Sequence, residues 1–176
     1  MKSDYVDDRI LGHVLASMMP ANAQVCRVSL ATGLRIGDVL SLRTEQIKRQ
    51  RFTIREQKTG KSRRIYLPKA LWLELQRDAG SVWVFPGRNP QKHRSRQAVW
   101  TDINRAKQLF RINANISPHS MRKIAAVEMF KRTGDLHKVK EFLNHDSDSV
   151  TIIYALADAL ASRSAAKKAK RKKGRN

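Results

Sequence analysis

Between Arg51 and Leu67 the hydrophobic pattern leaves a helical period and becomes a strict alternation. Phe52 and Ile54 point to one side of a first run, Ile65 and Leu67 to one side of a second, with QKTGKS between them. A period of two places alternate side chains on one face. A glycine-containing loop joining two such runs makes a β-hairpin. Around it the pattern is helical. Ile10, Leu11, Val14, Leu15 and Met18 mark a first helix ended by Pro20, and a second runs to Ala31. Thr32-Gly33-Leu34 breaks it, and Ile36, Val39, Leu40 and Ile47 restart an apolar face around Asp38. Further helices are expected over 69–77 and 98–110, and VWVF at 82–85 as a short buried strand. Ser117-Pro118 offers an N-cap and a first-turn proline for the next helix. Leu136, Val139, Phe142 and Leu143 mark another, and Ser149 caps a last one carrying Ile152, Ile153, Leu156 and Leu160. The expected fold class is α+β, mainly α, with one small antiparallel hairpin at an edge.

A chain of 176 residues has room for one ordinary core. Its 41% apolar and 29% charged residues describe a folded body. Lys+Arg exceed Asp+Glu by 36 to 15, a net charge of +21. Such an excess points to a polyanion, with DNA or RNA foremost. Eight of the cations lie between Arg163 and Arg175, beyond the last acid, Asp158; without them residues 1–158 still carry +13. The body is therefore basic in its own right, and residues 161–176 read as a basic, disordered tail. The lone Cys26 excludes an internal disulfide and a cysteine-cluster zinc site, in keeping with a reducing cytosol. No apolar run reaches the roughly 18 residues of a membrane span, and MKSDYVDDRI has no signal-peptide core. A cytoplasmic protein acting at the nucleoid, without membrane partners, is expected.

Transfer of a DNA strand to a protein hydroxyl needs a nucleophile, cations for the non-bridging phosphate oxygens and an acid for the departing 5′-oxygen. Candidates for each occur in a definite order. ATGLRIGDVLSLR contains Arg35 and Asp38, QKTGKSRRIYLP contains Lys58, SPHSMR contains His119 and Arg122, and LNHDSDSVTIIY contains His145 and, nine residues on, Tyr154. Taken singly these are ordinary. An arginine after TGL is commonly a salt-bridged surface residue, H-x-x-R is frequent, Lys58 and Lys61 could both be solvated turn residues, and a tyrosine behind two isoleucines is normally in a core. Tyr5 and Tyr66 are read in that core sense, and His13, His93 and His137 as surface residues.

In this order, over about residues 5 to 158, the boxes resemble the catalytic domain of the tyrosine recombinases, the phage integrases and their bacterial relatives. The resemblance implies Arg35 and Arg122 as a phosphate clamp with Asp38 as the acidic neighbour of the first. It implies Lys58 as the acid for the leaving oxygen, His119 as base or proton relay, and His145 as a hydrogen-bond donor to the phosphate. Tyr154 becomes the nucleophile of a 3′-phosphotyrosyl intermediate. Lys61, Arg63 and Arg64 are then backbone-phosphate contacts. No metal or other cofactor is implied, because the phosphotyrosyl link keeps the bond energy. Two positions depart from the pattern: Lys123 stands where the family commonly has His, and Asn144 where it often has Gly.

The same resemblance implies a catalytic domain over residues 1–160 that lacks the N-terminal core-binding domain of the family. It also implies double-stranded DNA as partner, a homo-oligomer on paired sites, and a separate DNA-binding or accessory protein that would supply the missing grip. Alternatives are a relaxing topoisomerase of the same chemistry, and a catalytically silent DNA-binding regulator of the same fold.

Overall fold

The structure is a computed structural model, and it describes Val6 and residues 8–144. His145, Tyr154, Tyr5, the expected last helix and the basic tail lie outside the described residues. The chain divides into two compact units, residues 1–125 and 126–176.

The first unit opens with α1 (Asp8–Ser17) and α2 (Pro20–Thr32), which begins on the proline expected to end its predecessor. A proline lacks only an N–H that the first helical turn would leave unused. Then come α3 (Ile36–Leu40), a 3-10 turn (Thr44–Lys48), β1 (Arg51–Arg55), β2 (Ser62–Tyr66), α4 (Lys69–Asp78) and α5 (Arg96–Leu109). The strands pair antiparallel in the register Arg51↔Tyr66, Phe52↔Ile65, Thr53↔Arg64, Ile54↔Arg63 and Arg55↔Ser62. Ile54 and Ile65 are buried, and Leu67, Leu75, Phe85, Val99 and Ile103 join them in one apolar core with Val25, Val28, Leu34 and Val39. Burial of this contiguous surface is the main driving force for the unit.

Two expectations are corrected. VWVF does not form a strand: Trp83 makes a single bridge with Arg43, flanked by Val84 N–H to Leu42 O at 3.0 Å and Thr44 N–H to Val82 O at 3.1 Å. The ladder stops because the partner chain turns at once into the 3-10 turn and Pro86 has no N–H to continue it. Val84 and Phe85 are nevertheless buried. Tyr66 is not a core residue. It follows buried Ile65 by one position, so strand parity turns it outward, 55% exposed, under the Arg51 guanidinium. His93 is half-buried, edge-on to Trp83, whereas His13 and His137 are exposed.

α6 (Pro118–Thr133) starts at the expected proline. Its first turn is closed by Ser120, whose N–H donates to Ser117 O at 2.8 Å while its hydroxyl accepts from the Ser117 N–H at 3.1 Å. In the second unit α6 ends at Gly134, with φ 67°. α7 (Leu136–Leu143) is capped by the Asp135 carboxylate, which accepts from His137 N–H at 2.8 Å. It stops at Asn144, in the left-handed region at φ 48°. Asn tolerates that region better than other residues with a β-carbon, so a position where glycine is common is filled here by the next best residue.

Candidate active site

The site grows from the end of α2. Gly33 adopts φ 65° and donates its N–H to Ser29 O at 2.8 Å, a left-handed cap that only glycine takes without strain. The turn sends Leu34 into the core and presents Arg35 in extended conformation at the start of α3. A helix end also leaves carbonyls without intrahelical partners and a partial negative charge. Two cations from distant parts of the first unit answer it: Arg63 Nη2 donates to Thr32 O and Arg122 Nη1 to Gly33 O. Arg122 is thereby fixed against the turn that carries Arg35.

The hairpin supplies the anion. Inward positions on β1 are Phe52 and Ile54, and continuing the parity brings Glu56 to the same side, its side chain fully buried. Across the hairpin, Arg63 lies opposite Ile54 and also faces inward, its side chain 9% exposed. Glu56 Oε2 accepts from Arg35 Nη1 at 2.9 Å and from Thr59 Oγ1 at 3.1 Å, while Oε1 accepts from Arg63 Nη1 at 3.3 Å. One carboxylate thus spans two guanidiniums and touches the hairpin loop.

Asp38, on α3, fastens that loop. Its Oδ1 accepts from Gln57 N–H at 2.9 Å, and Gly60 N–H closes the loop onto Glu56 O at 2.8 Å. Burial pushes the Asp38 carboxyl above the usual carboxylate range, and the Glu56 charge adds to this; the Gln57 amide and the charges of Arg35 and Arg122 oppose it. Burial likewise pulls the Arg63 guanidinium below the ordinary arginine value, against the pull of Glu56 and Asp38.

Of the residues singled out in the sequence, the structure brings Arg35, Asp38 and Arg122 into one electrostatic cluster and attaches the Lys58 loop to it through Gln57 and Thr59. Lys58 itself is exposed. His119 is exposed on the first turn of α6, one turn before buried Arg122. Residues three apart are separated by about 60° around a helix, enough to put one inside and the other at the rim. Lys61 and Arg64 are exposed, but Arg63 is directed inward to Glu56 and the end of α2. Glu56 was not singled out from the sequence. Its signal was parity, two residues after Ile54. Lys123 is also buried. Among the described residues no group of three or more His, Cys, Asp or Glu side chains could hold a metal ion, and no helix is long and apolar enough to cross a membrane.

The chain matches the phage integrase family over residues 8–160. It is 31% identical over 130 residues to a putative integrase/recombinase, y4qK, of Sinorhizobium fredii, covering 70% of this chain and 42% of that protein. It is 28% identical over 147 residues to the tyrosine recombinase XerA of Pyrococcus horikoshii, covering 78% and 51%. The chain therefore spans about half the length of these relatives. Among solved structures, a lambda integrase (75-356) dimer bound to a COC′ core site superposes with a TM-score of 0.74 at 15% identity, over 88% of this chain and 60% of that one. The catalytic domain of bacteriophage HP1 integrase gives 0.64 at 19% identity, over 87% of each. At such identities the likeness is one of fold, and it agrees with the helical body and single hairpin described above. Matched over residues 8–160, the chain belongs to the phage integrase family.

Proposed function

We propose that this chain cleaves and rejoins DNA strands as part of a site-specific recombinase, through a 3′-phosphotyrosine at Tyr154. The observation that carries the proposal is the convergence of two arginines from separate sequence boxes: Arg122 donates to Gly33 O, two residues before Arg35. Planar guanidiniums match phosphate oxygens in pairs, where an ammonium would act as a point charge. Held in a partly buried cluster, they act on a phosphate more strongly than they would in water.

In this scheme the Tyr154 oxygen attacks phosphorus, the bond to the 5′-oxygen breaks, and Lys58 delivers a proton to that leaving oxygen. Its loop is tied to α3, which supports such a role. His119, at the rim of the same helix as Arg122, takes the Tyr154 proton, and His145 donates to a non-bridging oxygen. Attack by a free 5′-hydroxyl reverses the step and joins strands. Exposed Lys61 and Arg64, together with residues 161–176, hold the DNA backbone, and Arg63 supports the site from inside. The reaction is performed by several copies on paired sites in the cytoplasm, at the nucleoid. Similar folds described as a dimer on a core site and as a tetramer on a Holliday junction support that assembly. A separate DNA-binding or accessory protein would add grip.

The test is a nicked suicide duplex incubated with the protein. The expected product is a protein–DNA adduct that survives denaturant and is lost in Tyr154→Phe. No adduct on cognate DNA overturns the proposal, and relaxation of any supercoiled plasmid would replace it with a topoisomerase.

A further inference from the structure

Glu56 has no part in the scheme above, yet it is the anion around which the arginines are arranged. A buried carboxylate is retained at a cost unless its partners compensate it fully. Here the two oxygens are divided: Oε1 faces Arg63, and Oε2 faces both Arg35 and Thr59. Arg63 is anchored on its other side by Thr32 O at the end of α2.

We propose that Glu56 is a positioning residue for Arg35, and that Arg63 is the counter-cation that lets Arg35 pass from this carboxylate to a DNA phosphate. The inference rests on the strand-transfer function proposed above. A carboxylate and a phosphate present the same paired oxygens to a guanidinium, so Glu56 holds Arg35 in an orientation that suits the phosphate which follows. Were Arg35 its only partner, the hand-over would leave a buried anion alone. Arg63 and the Thr59 hydroxyl remain on Glu56 when Arg35 turns, so the exchange proceeds between two satisfied states. Thr59 also adjoins Lys58, so the carboxylate that sets Arg35 sets the loop of the proposed proton donor.

Two separate readouts test this on the full chain. The first is the nitrogen-15 spectrum of the Arg35 guanidinium. In the parent protein its side-chain signals should show hindered rotation, and in Glu56→Gln they should average; an unchanged Arg35 spectrum overturns the proposal whatever the protein does to DNA. The second is the rate of adduct formation under single turnover beside DNA affinity in a Tyr154→Phe background. Glu56→Gln should lower the rate about 10- to 100-fold, the scale on which misplacement of a catalytic group acts, while affinity stays close to that of the parent. Glu56→Gln leaves Arg63 as a buried cation, so Glu56→Gln/Arg63→Met removes both charges. This double variant should unfold at a higher midpoint than Glu56→Gln alone without regaining the parent's rate. A double variant that folds and cleaves at the parent rate overturns positioning, as does a fall in affinity that tracks the fall in rate. If the parent itself yields no adduct, the strand-transfer function fails, and the spectrum still judges the Glu56–Arg35 link.

Discussion

Where α1, α2 and α5 meet, Asp102 accepts from Met19 N–H at 2.7 Å and Asn22 Nδ2 at 2.8 Å on one oxygen, and from Arg105 Nε at 2.9 Å and Nη2 at 2.8 Å on the other. Asp38 is buried to a similar depth, 4% exposed against 6%. It accepts one amide hydrogen, from Gln57, and its Oδ2 has no hydrogen-bond partner among the described residues. The consequences are opposite. Burial pushes Asp102 upward, but its hydrogen bonds from Asn22, Arg105 and Met19 more than reverse this and hold its carboxyl below the usual range. Burial of Asp38 is not reversed. One carboxylate is a fully satisfied fastener. The other is held under-bonded beside the arginines. The two carboxylates thus differ in how completely they are satisfied, not in how deeply they are buried.

The sharpest way to break this contrast is to separate stability from chemistry. Arg35→Lys keeps the charge and loses the fork, and should lower single-turnover adduct formation by about 100- to 1000-fold, as for loss of one preorganised donor at a reacting centre. Its urea midpoint should change little. Asp102→Asn should do the reverse. An amide must turn its NH2 toward one of two sets of donors, which costs about 2 to 3 kcal/mol, while the folded protein keeps its cleavage rate. A cleavage defect in Asp102→Asn as deep as that of Arg35→Lys would end the distinction.

Next in size are the pH responses. Asp102, lowered in the fold, contributes stability that is complete above the ordinary carboxyl value and lost as pH falls through its depressed one. Asp38, raised in the fold, imposes a cost at neutral pH that is relieved as pH falls through its elevated value. On acidification from pH 7, the stability of the parent relative to Asp38→Asn should therefore rise, and relative to Asp102→Asn it should fall. Urea midpoints collected down to pH 3 measure both slopes. Slopes of the same sign would show that the two carboxylates do not differ as described.

How much of this was legible beforehand follows the same division. Alternation placed the hairpin because period two is a property of the sequence alone, and Pro118 marked the start of α6 because a first-turn proline is a local signal. The arginine boxes were recognisable by resemblance, and Arg35 and Arg122 do converge. What escaped was partnership. VWVF has the residues of a strand but no long neighbour to pair with. Tyr66 and Arg63 follow from parity: one step from Ile65 points out, two steps points in. Glu56 was legible by the same rule, yet a charged residue at an inward position only becomes meaningful once its cations are located across the hairpin and beyond α2.

A third carboxylate sharpens the comparison by removing burial from it. Asp78 accepts from Arg77 Nε at 2.8 Å and Nη2 at 3.1 Å and from Gln24 Nε2 at 2.6 Å, nearly the donor set of Asp102. Its carboxyl is likewise held below the usual range, by the Arg77 and Gln24 hydrogen bonds. It sits, however, at the solvent-facing end of α4, with Arg77 largely in water. Exposed pairs gain little because water solvates both partners almost as well when they are apart. Asp78→Asn should therefore shift the urea midpoint far less than Asp102→Asn, and added salt should erase what shift there is, since an exposed pair is screened and a buried carboxylate such as Asp102 much less so, even with its Arg105 partner 53% exposed. Equal midpoint losses in the two variants would mean that the number of donors, rather than their burial, decides what a carboxylate contributes to this fold.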